Sequence, residues 1–133
     1  MSEQAKMTLR DTITPKSDQL NFDDLVAGPL TVKVIGLAMG SAEQPVIVRI
    51  EGHRDFKPCK SMRRVLIACW GDQGKDWIGK HMTLYGDPSV QFGGVALGGI
   101  RISHVEGIDK PKTIKLTTTR GKRGDFVVKP LTV

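Results

Sequence analysis

The segment Lys57-Pro58-Cys59-Lys60-Ser61-Met62-Arg63-Arg64 places four cations at the opening of a helix, and the chemistry this spacing suits is anion binding. A helix N-terminus carries partial positive charge, so Lys60, Arg63 and Arg64 stand where stability alone would favour Asp or Glu. An incoming phosphate backbone would convert that local cost into attraction. The competing reading is a solvated basic face whose charges salt screens.

Other chemistries fit poorly. His53, His81 and His104 are scattered, and His53-x5-Cys59 with Cys69 further on is no recognisable zinc spacing; no CxxC is present. His81 and His104 are expected to be half-exposed strand residues. Gly71-Asp72-Gln73-Gly74-Lys75-Asp76 lacks both the spacing and the preceding strand of a phosphate loop. The pairs Gly93-Gly94 and Gly98-Gly99 miss the dinucleotide fingerprint, and no helix follows them. Asp55, Asp72, Asp76 and Asp87 read as isolated surface acids. The expectation is a protein that is not an enzyme and needs neither metal nor cofactor.

Gly121-Lys122-Arg123-Gly124 matches the GXXG pattern of a KH domain, but that loop joins helices. Here the flanks are Thr-rich on one side and Phe-Val-Val on the other, so a hairpin with a basic tip over Arg120–Asp125 is predicted instead. Arg120, Lys122 and Arg123 then join the candidate phosphate contacts, as do Arg101 and Lys115. A turn kept soluble by its charges is the alternative.

Single-strand binding also needs rings on which bases stack, each worth about 1–3 kcal/mol. Seven aromatics are available. Trp70 and Trp77 fall in the helical region and are expected in the core. Tyr85 alternates with Met82 and Leu84 and so faces away from them, Phe92 stands among Gly and polar residues, and Phe56 lies close to Arg54 and Lys57. Phe56, Tyr85 and Phe92 are the candidate stacking platforms.

The charge distribution agrees with this choice of partner. The 133 residues suit one domain, and the net charge of +6 is uneven: residues 1–56 hold six Lys/Arg against eight Asp/Glu, residues 57–133 fourteen against six. A basic C-terminal portion is the footprint of a nucleic-acid binder. A membrane surface fits less well, since neither an amphipathic basic helix nor a lipidation signal accompanies the charge, and no signal peptide or spanning segment is seen. Cys59 and Cys69, the latter in an apolar run, suit a reducing, cytoplasmic setting.

These residues need elements to position them. Residues 1–19 read as a loose polar arm and 20–133 as a single domain. Asn21 with Asp23 and Asp24 predicts a short helical turn ended by Gly28-Pro29. Thr31–Met39, with a bend or bulge at Gly36, and Pro45–Glu51 read as a strand pair joined by a turn over 40–44. His53–Pro58 is weakly extended. Met62, Val65, Leu66 and Cys69 form one apolar stripe of a helix that starts at Lys60 or Ser61 and stops at Gly71, with a further turn burying Trp77. Strands follow at Lys80–Tyr85 and Ile100–Val105, separated by a turn at Gly86-Asp87-Pro88 and a Gly-rich, hairpin-like section; an extra hairpin closes the chain. This is the succession of an OB-fold, a small Greek-key barrel with a helix before its fourth strand, although an α+β sandwich or a split barrel has a similar pattern.

Three segments carry a resemblance: Lys57–Arg64, Met82-Thr83-Leu84-Tyr85-Gly86-Asp87-Pro88 and Gly98-Gly99-Ile100-Arg101-Ile102-Ser103-His104. Together they resemble a family of small proteins of tailed bacteriophages that look like OB-type single-stranded DNA-binding proteins, over most of residues 25–131. The resemblance implies a mostly β, OB-like barrel that binds single-stranded DNA, more than RNA, with little sequence preference during phage replication or recombination. Replication or recombination proteins and further copies of the chain are conceivable partners. Bacterial single-strand binders usually end in an acidic tail that recruits partners; Val128-Lys129-Pro130-Leu131-Thr132-Val133 departs from that. The alternative function is a protein-interaction module that redirects a host protein.

Overall fold

The computed structural model describes the backbone of residues 19–92, 95–96, 98–119 and 122–133, and their side chains outside 91–97 and 117–123. Residues 1–18 of the expected arm lie outside them; its last residue, Gln19, forms a bridge to Asp55 and so belongs with the folded domain.

Among the described residues the chain is mostly β with one α-helix. In order it forms β1 (Leu30–Met39), β2 (Val46–Ile50), α1 (Lys60–Trp70), β3 (His81–Asp87), β4 (Gln91–Phe92), β5 (Val95–Ala96), β6 (Gly99–Val105), β7 (Lys112–Thr119) and β8 (Lys122–Pro130). Six strands make a mixed sheet in the order β2-β1-β3-β6-β8-β7, and β4 and β5 pair separately. Among the described residues the sheet does not close into a barrel.

β1 is divided between two neighbours. Its first half, Leu30–Lys33, pairs with β3, and its second half pairs with β2. The register slips between Val34 and Gly36, so Ile35 is the extra residue of a bulge and is half exposed. That slip bends the strand at the position glycine marks. Alternation along β1 and β3 sends Val32, Val34, Met82 and Leu84 to one face; Ile102 and Val105 join them because a second register slip, opposite Thr83 and Leu84, takes up the odd spacing in β6, and all six are buried. The 3-10 turn Phe22–Leu25 covers one end of this core. Phe22 lies so close to Gly86 and Gly98 that a Cβ on Gly98 would come within 2.8 Å of its ring, and Gly98 also has φ of 86°. Only glycine satisfies both conditions there.

The helix obeys its stripe. Met62, Val65 and Leu66 are buried, Cys69 is partly so, and Gly71 ends the helix with φ of 88°. Both tryptophans are core residues with satisfied donors: Trp70 Nε1 donates to the Glu106 carbonyl at 2.7 Å and Trp77 Nε1 to the Gly71 carbonyl at 2.9 Å. α1 has no basic residue in its last turn, and Lys112 supplies one from β7, its Nζ 2.6 Å from the Ala68 carbonyl.

Three expectations change. The C-terminal hairpin is part of the main sheet, because β8 runs parallel to β6 through His104–Lys129 and Val105–Pro130. Its second strand begins at Lys122, so Lys122 and Arg123 belong to β8 rather than to a long tip. Gly86 and Asp87 continue β3, and the turn falls at Pro88-Ser89. No helix among the described residues is long and apolar enough to cross a membrane.

Candidate nucleic-acid interface

α1 begins without an acid in its first turn and without a side-chain cap at Cys59. Lys60 and Arg64, one turn apart, are exposed on the side away from the buried stripe. Arg63 is half buried, and its Nη1 donates to the Pro58 carbonyl at 2.9 Å. Lys57 is half buried as well. Among these cations, then, Lys60 and Arg64 stand most freely in solvent, while Arg63 also braces the backbone entering the helix.

Contacts at its two ends fix how α1 lies. Arg101 Nη1 approaches Cys59 Sγ at 4.0 Å, and Trp70 reaches the Glu106 carbonyl. Eleven helical residues rise about 16 Å, and the five-residue step from Arg101 to Glu106 advances about as far along an extended chain. The helix therefore runs parallel beside β6, its start level with Arg101. β8 is parallel to β6, so its beginning at Lys122 and Arg123 lies toward the same end. β3 ends there too, since Asp87 pairs with Gly99 and Tyr85 with Arg101. The topology thus brings the helix start, Arg101, Tyr85 and the origin of β8 to one end of the molecule.

Tyr85 and Arg101 are cross-strand partners, so their side chains share a face. The Tyr85 ring is half buried; that burial pushes its phenol above the ordinary range, the Asp87 charge adds to the effect and Arg101 opposes it. Arg101 Nε is 3.9 Å from Asp87 Oδ2. The Ser89 hydroxyl, 2.6 Å from Asp87 Oδ1, holds that carboxyl below its usual range, assisted by the Ser89 N–H at 2.9 Å and the charge of Arg101, against partial burial. Asp87 is therefore an ionised countercharge beside Arg101. Read from sequence it was one more surface acid; the Asp-Pro-Ser turn signal was the available hint of its anchoring.

The remaining candidates divide. Phe56 is not a stacking platform: it is only 2% exposed. Its backbone exchanges both hydrogen bonds with Val48, N–H to O in each direction at 2.8 Å, which seats the segment against β2 with the ring in the core. Lys115 is exposed but sits 2.6 Å from Asp125 across the β7–β8 pair, so an anion would compete with that carboxylate. Phe92 lies on β4, and Lys122 and Arg123 on β8, with side chains outside the described set; Arg120 falls outside the described residues. No group of three or more His, Cys, Asp or Glu among the described residues could hold a metal ion. His81 and His104 are instead held by neighbours, Nδ1 of the first 3.0 Å from Glu106 Oε1 and Nδ1 of the second 2.8 Å from Ser103 Oγ.

Comparison with protein-family models, curated proteins and solved structures finds no match to this chain, so the bacteriophage resemblance stands on its three sequence segments alone.

Proposed function

We propose that the protein binds single-stranded DNA with little sequence preference at the end of the molecule where α1 begins. The observation that carries this reading is the Tyr85–Arg101 pair beside the exposed Lys60 and Arg64. A ring and a guanidinium on one face, next to a helix start loaded with cations, match the two requirements of a strand binder, stacking surface and backbone neutralisation. Nothing in this arrangement would read base edges, so affinity would depend weakly on sequence.

An OB-like topology is part of the proposal. β1 divided between β2 and β3, the β3–β6 pairing, and a helix between the Phe56 segment and β3 support it. What the OB barrel would add is pairing between the Phe56 segment and β6. Pro58 has no N–H to give at that place, and the contact made is Arg101 on Cys59. The resemblance noted in the sequence extends the proposal to phage DNA replication or recombination.

The test compares a ligand that has bases with one that has only charge. Tyr85→Ala is expected to weaken oligo-dT binding by about 1–3 kcal/mol while heparin binding barely moves. Equal losses for both ligands in a folded variant would contradict a stacking role and favour a docking surface for an acidic protein.

A further inference from the structure

β1, β3 and β6 present a second surface opposite the core. Register pairs Lys33 with His81, Thr31 with Thr83, Thr83 with His104 and Tyr85 with Arg101. Paired residues share a face, so these side chains form one continuous polar floor. Its middle is low: Thr83 is buried, and its hydroxyl meets that of Thr31 at 2.8 Å. The imidazoles of His81 and His104 border it. Each uses Nδ1 on a neighbour, and Nε2 of each makes no hydrogen bond among the described residues.

Charge on this floor is lopsided in effect. Lys33 is exposed at one end and Arg101 lies at the other. Of the nearby acids, Asp87 is engaged by Ser89 and Arg101, and Glu106 by the His81 backbone N–H at 2.8 Å and its ring; exposed Glu51, whose N–H donates to the Lys33 carbonyl at 3.0 Å, flanks the Lys33 end. From His81 to Tyr85 is about 13 Å of strand, or about four nucleotides at the stacked repeat of about 3.4 Å.

We propose that a single nucleic-acid strand leaving the helix start continues across this outer face, past Tyr85 and His104 to Lys33. The inference rests on the single-strand reading above and adds the path, with Lys33 as a phosphate contact and the two Nε2 atoms as partners for phosphate or base oxygens when protonated, or for base N–H groups when not.

Titration of the ¹⁵N-labelled full chain with (dT)8 tests it. Backbone amide shifts should move at Thr31, Lys33, Thr83 and His104 as well as around the helix start. Lys33→Glu should lower (dT)8 affinity about tenfold and flatten the salt dependence by a slope of about 0.7. Lys110→Glu, the same charge change in the exposed turn between β6 and β7, should have a much smaller effect. Shifts confined to residues 57–64 and 99–101, with Lys33→Glu no worse than Lys110→Glu, would overturn the path and leave the helix-start site standing. Absence of any shift at saturating (dT)8 would overturn both.

Discussion

Arg101 and Cys59 meet at 4.0 Å although 42 residues separate them in the chain, and this contact ties the start of α1 to β6. Arg101 stands at the centre of the proposed site: it faces Tyr85 across the strand pair, reaches Cys59 on one side and lies near Asp87 on the other. Its charge is shared among these neighbours rather than spent on one of them. The pair is partly buried but long at 3.9 Å, a contact closer to the weak surface kind of about 1 kcal/mol than to a tight ion pair, so a phosphate can displace Asp87 without much loss.

Asp87 and Arg101 should therefore respond in opposite directions. Arg101→Ala is expected to weaken oligo-dT binding, and Asp87→Asn to strengthen it at low salt, since Asn keeps an acceptor for Ser89 but not the opposing charge. Fluorescence anisotropy at two salt concentrations reads both. Weaker binding by a folded Asp87→Asn variant would mean the carboxylate positions Arg101 instead of competing for it.

The two arginines of the helix start should separate in the same way. Arg64→Glu removes an exposed cation, so binding should fall while stability holds or rises by about a few tenths of a kcal/mol through the helix dipole. Arg63→Glu also breaks the bond to the Pro58 carbonyl and should cost about 1–3 kcal/mol of stability. Thermal melts beside binding curves distinguish them. Equal melting temperatures for the two variants would show that the Pro58 contact contributes little.

Phe56→Ala is expected to lower stability by about 3–5 kcal/mol, the cost of emptying a buried aromatic site. A denaturant midpoint close to that of the unaltered protein would contradict the core assignment.

That residue also shows what the sequence could convey. Periodicity made α1 legible, because Met62, Val65, Leu66 and Cys69 repeat at helical spacing and Gly71 follows; Gly36 likewise pointed to the bend in β1. Phe56 was misread because its nearest neighbours are polar, whereas its orientation comes from a partner, Val48, on another strand. The same holds for β8, whose parallel pairing to β6 depends on contacts distant in sequence. Of the candidate site, the cations were visible as composition. The countercharge Asp87, the bracing role of Arg63 and the facing of Tyr85 by Arg101 appear only once three elements meet at one end.

Acid should destabilise the fold in part through Glu106. His81 donates to this carboxylate from its ring and its backbone N–H, which keeps it below the ordinary value of 4.5 in the folded chain. Because the folded value is the lower one, the stabilisation is present above about pH 4.5 and is lost as pH falls through the folded value. Glu106→Gln should flatten the stability profile over that window. An unchanged profile would show that the His81–Glu106 contact does not contribute to folding.

The central claim is tested most directly by a salt titration of binding to labelled oligo-dT and to duplex DNA of equal length. The account predicts tighter binding to oligo-dT, with log K falling linearly against log salt at about 0.7 per phosphate neutralised. Preference for the duplex, or an affinity indifferent to salt, would contradict it.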